Sequence, residues 1–296
     1  MPKPSIKGFE ILDTIGNGAG SVVYRAIDLR TQKVCAVKHV TRTTVNAIEK
    51  ARRRAKVGDG RLGEYARINY RGFFDQVRNE FRVLHALDRN TYSPHIVRVR
   101  GLLTLRTLFI VRGYDLIMEL IEGTSLRDKR DYPMADLIRF YREAASGLAF
   151  LHAHQVLHTD MKPQHLFITR DSHVKIIDFG LARFFNDPVG RIQGTVDYMA
   201  PEQAKGRAMD PRTDVYGLGS TMYWVLTGQP NRPAISGSTG GLGFTVGYAG
   251  RADSVRDKCP ECPPALEDLL LASCERRPEK RPNSMSEVMA RLEALL

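Results

Sequence analysis

Three short stretches hold residues whose types and spacing could do chemistry. Gly16-Asn17-Gly18-Ala19-Gly20-Ser21-Val22-Val23 is glycine-rich and lies between two expected strands. Glycine has no Cβ, so the backbone amides of such a turn can close on phosphate oxygens. Gly-x-Gly also makes ordinary hairpins, so the stretch needs an anchor. Cys35-Ala36-Val37-Lys38 supplies one, a cation that ends an apolar run just after the hairpin. A lone Lys on a strand is usually solvated, but behind a glycine-rich turn it points to phosphate binding. The third stretch, HTDMKPQHLF from His158 to Phe167, sets the Asp160 carboxylate beside the Lys162 ammonium, with the His165 imidazole just beyond. A neutral imidazole can ligate a divalent cation through one nitrogen.

Such groups need elements to hold them. FEILDTI, SVVYRAID and VCAVKHV are β-branched or aromatic runs separated by turn-formers, as antiparallel strands require, with Thr31-Gln32-Lys33 as a hairpin loop. From Asn79 the run NEFRVLHAL brings Phe81, Leu84 and Leu87 to one helical face, and IVRVRGLL and LIMEL return to strand character. The first part of the chain reads as a small sheet with one main helix. After Glu122-Gly123 the period turns helical in MADLIRFYREAASGLAFLHAH, DVYGLGSTMYWVLTG, PALEDLLLASC and SMSEVMARLEALL. The expected class is therefore α+β, a β-rich part followed by a mostly helical one. Asn231 to Gly250, NRPAISGSTGGLGFTVGYAG, is expected to be a long loop within the second part.

At 296 residues and 43% hydrophobic content the chain can bury a substantial core. Its first residues form no signal-like apolar run, and no stretch reaches the ~18 apolar residues of a membrane span. A cytoplasmic location is expected. Cys35, Cys259, Cys262 and Cys274 are too few for a disulfide framework, and Cys259-Pro-Glu-Cys262 lacks enough partners nearby for zinc, so its thiols are read as incidental to a Pro-rich loop. The net charge of +11 favours acidic partners. Much of it lies between Glu49 and Arg82, where ten Lys or Arg meet five Asp or Glu. This basic stretch around Arg52-Arg53-Arg54 is read either as a solvated surface or as a docking element for an acidic partner. No companion nucleic-acid or membrane module is visible.

The motifs and their order resemble a eukaryotic-type Ser/Thr protein kinase, in a compact style similar to bacterial members, from about Phe9 to the C-terminus. HTDMKPQH resembles the catalytic loop, Asp178-Phe179-Gly180 the metal-binding DFG and Ala200-Pro201-Glu202 the APE motif; Asp214 to Gly219 and Arg281 match later structural positions. The resemblance implies one bilobal kinase domain: an N-lobe over residues 1–121, with a basic insertion at about 42–78, and a C-lobe over 122–296. ATP would bind between the lobes. Gly16, Gly18 and Ser21 would cover its phosphates, Lys38 would bind them while paired with Glu80, and Val23, Ala36 and Phe167 would enclose adenine. Met118 would be the gatekeeper, with Glu119 and Ile121 offering hinge backbone groups. Asp160 would take the proton of the substrate hydroxyl, Lys162 would steady the γ-phosphate, and Thr195 would bridge the two. Asp178 would carry Mg²⁺, and Arg281 would pair with Glu202. Lys162-Pro163 and the APE-bounded loop imply Ser/Thr side chains of protein substrates as acceptors.

The sequence departs from the family pattern at three places. Ser21 stands where the third glycine is usual. Thr159 replaces an Arg that in many kinases clamps a phosphate on the activation segment, and Leu181 to Gly194 contains no Ser, Thr or Tyr. Lock and key are missing together, which fits activity without phosphorylation there. His165 replaces a metal-binding Asn. Because Mg²⁺ prefers oxygen whereas Mn²⁺ accepts imidazole more readily, better support by Mn²⁺ is expected. The alternative is a pseudokinase or ATP-binding scaffold, weakened at that position.

Overall fold

In the first sheet, alternating burial is clearest over Val22–Asp28. Strands β1 (Phe9–Asn17), β2 (Val22–Asp28) and β3 (Lys33–Thr41) run antiparallel, and β4 (Val99–Thr107) and β5 (Ile110–Met118) complete the order β1-β2-β3-β5-β4. The β2–β3 turn spans 29–32, with Asp28 Oδ1 accepting the amides of Arg30 and Thr31, so Lys33 belongs to the strand and not to the loop. One face packs Ile6, Ala26, Cys35, Val37 and Ile117 together. Two helices, α1 (Arg42–Lys56) and α2 (Tyr70–Asp88), follow β3, and α2 buries Phe74, Val77, Glu80, Val83, Leu84 and Leu87. Phe81, expected on the buried face, is only half-buried and stacks on His85.

The computed structural model describes residues 3–56, 70–88, 91–188, 193–231, 238–239, 243–244 and 253–296. Two compact units divide the chain, the first made of residues 1–90 and 97–121, the second of 91–96 and 122–296. The insertion expected at about 42–78 reads differently at both ends. Residues 42–56 extend β3 into α1, and 70–78 are the opening turns of the Glu80 helix, anchored there because Phe74 packs edge-on against Tyr70 and Tyr114. Residues 57–69 and the side chains of Arg52 to Arg54 lie outside what is described.

The second unit combines helices with small sheets. Strands β6 (Gly123–Ser125), β8 (Leu166–Thr169) and β9 (Val174–Ile176) form a three-stranded sheet, and β7 (Val156–Leu157) pairs with β10 (Arg183–Phe184). Its helices are α3 (Met134–Ala153), the short α4 (Pro201–Ala204), α5 (Pro211–Thr227), α6 (Pro264–Ser273) and α7 (Met285–Glu293). Helix α5 starts at Asp210, whose carboxylate accepts the Arg212 amide, has Pro211 at its first position, and stops at left-handed Gly228. Leu126, Tyr141, Leu148, Leu151, Leu166, Ile176, Leu218 and Leu266 are among its buried side chains. Most of the loop expected at 231–250 lies outside the described residues; β11 (Ser238–Thr239) and β12 (Gly243–Phe244) pair within it. Among the described residues no helix is long and apolar enough to cross a membrane.

Candidate active site

Register decides which groups share a face of the first sheet. Residues opposite one another in an antiparallel ladder point the same way. Val23 lies opposite Lys38, Lys38 opposite Leu116, and Ala36 opposite Met118. The alternation therefore puts Val23, Ala36, Lys38 and Met118 on one face, the face to which α2 brings Glu80. Lys38 Nζ donates to Glu80 Oε2 at 2.6 Å, and the Glu80 side chain is only 1% exposed. A carboxylate that deep needs its cation, so the two positions are tied together. Just past β5, Glu119 donates its amide to the Arg98 carbonyl and accepts the Arg98 amide on its carboxylate, both at 3.0 Å, so it offers a base at most its own carbonyl. Ile121 is half-buried at the end of the first unit.

The glycine-rich stretch is less loop than expected. Gly16 and Asn17 still pair with Val23 and Val22, leaving a turn from Gly18 to Ser21 that closes with a 2.8 Å bond from the Gly18 amide to the Ser21 carbonyl. Phe73 of α2 explains the displaced third glycine. A Cβ on residue 20 would lie 2.6 Å from the Phe73 ring, so the position under that ring must be Gly, and the usual place one residue on is taken by buried Ser21. Phe73 reads in the sequence as one more aromatic in a helix, and nothing in its spacing singled it out.

In the second unit Asp160, Lys162 and Thr195 close a triangle. Lys162 Nζ donates to Asp160 Oδ2 at 2.7 Å and to Thr195 Oγ1 at 3.0 Å, while the Thr195 hydroxyl and amide both donate to Asp160 Oδ1 at 3.0 Å. His165 Nδ1 faces the Asp160 carbonyl at 2.9 Å. A carbonyl only accepts, so Nδ1 carries the proton, and in the neutral ring Nε2 is then a lone pair. That lone pair meets Asp178 Oδ2 at 3.4 Å. Asp178 has φ +64, a left-handed conformation Asp tolerates, and the following Phe179 is fully buried edge-on to His158. Burial first, then nearby His165, hold His158 below the ordinary histidine range. Phe167 lies on β8, opposite Ser125 and Lys175.

Residues 9–291 match the protein kinase domain. The chain belongs to the protein kinase family. Among its relatives is the serine/threonine-protein kinase PknB of Mycobacterium leprae, 30% identical over an alignment of 302 positions that covers 96% of this chain and 42% of the relative. PknB of Mycolicibacterium smegmatis is 34% identical over 190 residues, 60% of this chain and 29% of the relative. PknD of Mycobacterium tuberculosis is 28% identical over 283 residues, 92% of this chain and 37% of the relative. The chain thus spans less than half the length of these curated relatives.

Around the triangle, the kinase motifs are fastened by hydrogen bonds. Glu202 of the APE motif takes a two-pronged bond from Arg281 at 2.8 and 2.9 Å, with both side chains buried, and a third from the Thr213 hydroxyl. Asp214, 1% exposed, accepts His152 Nε2 and the amides of His158 and Thr159. Burial pushes its carboxyl up, but those bonds and the neighbouring imidazoles outweigh it and hold Asp214 below the usual carboxylate range. Thr159 is buried with φ +62, an awkward conformation for a β-branched residue. Every polar group it has is bonded: its amide to Asp214, its hydroxyl to the Leu181 carbonyl at 2.8 Å, and its carbonyl from Gln203 Nε2 at 2.8 Å. Gln203 also holds the Gln193 carbonyl at 2.9 Å. Neither contact of Gln203 was visible in the sequence, where it follows APE without a motif of its own. Away from this region, Cys274 packs with Ala200 and Tyr216, and burial raises the Cys259 and Cys262 thiols to about 11 and about 12.

Proposed function

We propose that the chain transfers the γ-phosphoryl group of ATP to Ser or Thr hydroxyls of protein substrates. The observation that carries this reading is the Asp160, Lys162 and Thr195 triangle. Its bonds fix the Asp160 carboxylate in one orientation, ready to receive the proton of an acceptor hydroxyl. The Lys162 ammonium, held between Asp160 and Thr195, supplies positive charge for a phosphate beside that acceptor. Lys38, kept in place by Glu80, and the Gly18–Ser21 turn are the phosphate-holding groups of the first unit.

Asp178 and His165 would hold a divalent cation. Neighbouring ligands on an octahedral ion with ~2.1 Å bonds lie about 3 Å apart, close to the 3.4 Å between Nε2 and Oδ2. Such a cation, when bound, neutralises charge on the phosphates as the phosphoryl group moves. A donor set containing imidazole favours Mn²⁺ over Mg²⁺ relative to an all-oxygen set.

The reading also holds that the activation segment needs no phosphate. Neutral hydrogen bonds from Thr159 to Leu181 and from Gln203 to Gln193 fasten it at both ends, where an Arg and a phosphate would otherwise do so. The alternative, a nucleotide-binding scaffold, is favoured by one observation. A protonated His165 would pair with Asp178 directly and exclude metal. Transfer of the γ-phosphate to a generic basic protein, with Mg²⁺ and Mn²⁺ compared, separates the two. Transfer that Asp160→Asn reduces by about a thousandfold or more supports the enzyme. ATP binding without transfer in either metal supports the scaffold.

A further inference from the structure

Among the described residues of the first unit, the β4–β5 hairpin ends in the most exposed large apolar side chains. Leu108 is 87% exposed, Phe109 94% and Ile110 57%. Thr107 pairs with Ile110, so Leu108 and Phe109 form a two-residue turn. Leu108 has φ +52, the position that tight hairpins of this kind give to Gly, Asn or Asp. Leucine there accepts backbone strain and gains no packing in return. A local rule broken without a compensating contact marks a site kept for something outside the fold.

Charge says what that something is. Arg106 and Arg112 bracket the apolar tip, and from Thr104 to Gly113 there is no Asp or Glu. Neither Arg forms an ion pair among the described residues. Arg112 is the extra residue of a β-bulge, between the pairs Leu105 with Gly113 and Arg106 with Val111, a device that re-aims a side chain at a strand end. A two-residue turn is too small to supply the roughly 800 Å² per partner of a stable protein interface. Apolar side chains at a convex tip flanked by two arginines instead match an anionic bilayer, whose headgroups meet the guanidinium groups while the apolar tip enters the boundary below.

We propose that the Leu108-Phe109-Ile110 tip docks the chain on anionic lipid surfaces. The contact is peripheral, is separate from the residues assigned to phosphoryl transfer, and does not depend on that assignment.

Co-sedimentation of the 296-residue chain with vesicles tests it, using phosphatidylcholine alone and phosphatidylcholine mixed with phosphatidylglycerol. Binding is expected to the anionic vesicles and to fall with salt. The double variant Leu108→Gly, Phe109→Ser should weaken it at least about tenfold. Because glycine suits the turn, that variant should melt at or above the temperature of the parent, which keeps loss of binding from being loss of fold. Arg106→Glu with Arg112→Glu should weaken binding to anionic vesicles by about tenfold or more and leave phosphatidylcholine unchanged. No anionic binding, or binding that both variants retain, overturns the proposal. So does a concentration-dependent dimer abolished by the tip variant, which would make the occupant a second copy.

Discussion

His165 and Gly20 are single residues whose identities follow from one contact each. With its Nδ1 proton committed to the Asp160 carbonyl, His165 can give a cation only a nitrogen. Replacing it by Asn restores an oxygen, and the ratio of Mg²⁺-supported to Mn²⁺-supported phosphotransfer should rise about tenfold, ~1.4 kcal/mol. An unchanged ratio in initial-rate assays would remove His165 from the metal site. Gly20 answers to Phe73. An alanine there forces its Cβ against the ring, at a cost of about 1 to 3 kcal/mol that should appear mainly as a raised KM for ATP. Adding Phe73→Ala should bring KM back toward the parent value. A double variant no better than Gly20→Ala alone would show that the ring is not the constraint. The two cases differ in legibility. Asp160, Lys162 and Asp178 were singled out by the short, local kinase motifs that they resemble. Phe73 and Gln203 were not, because each matters through a partner far along the chain that periodicity does not reveal.

At the scale of elements, the segment between the DFG and APE motifs is held at Leu181 and Gln193 by the neutral groups of Thr159 and Gln203. Thr159→Val keeps the shape and loses the hydroxyl bond to Leu181, leaving a partly buried carbonyl without that donor. The expected cost is about 1 to 3 kcal/mol, concentrated locally. It should lower kcat by about tenfold and speed hydrogen exchange around Phe179 to Arg183, with little change in Tm. A variant with unchanged exchange and unchanged kcat would release Thr159 from this role. Helix α2 shows where element boundaries escaped the sequence. Its apolar spacing was clear from Asn79 onward, but the opening turns sit in a basic, glycine-containing stretch and are helical because Phe74 packs on Tyr114. The strands were easier to place because alternation and turn-formers bound them. Even so, the β1 hairpin kept Gly16 and Asn17 in its ladder, where glycine alone suggested loop.

For the molecule as a whole, one contribution to acid stability comes from the buried Asp214 carboxylate. Asp214 titrates lower in the folded chain than its unfolded value of ~3.9, so as pH falls the unfolded state takes the proton first. The stability it contributes is present above about pH 4 and is lost as pH drops through the folded value. Asp214→Asn should cost about 1 to 3 kcal/mol at neutral pH, by leaving an amide of His158 or Thr159 short of an acceptor. It should also flatten the decline of Tm as pH falls below about 4. An equally steep decline in the variant would place the acid-sensitive group elsewhere. The pairing of Glu202 with Arg281 bears on the birth of the chain as well. The two are 79 residues apart, so at about 5 to 20 residues per second a ribosome needs roughly 4 to 16 s to deliver the cation after the carboxylate. Throughout that interval Glu202 has no Arg281 guanidinium to accompany it into the interior. A nascent chain therefore lacks this buried pair until nearly all of the second unit has been made.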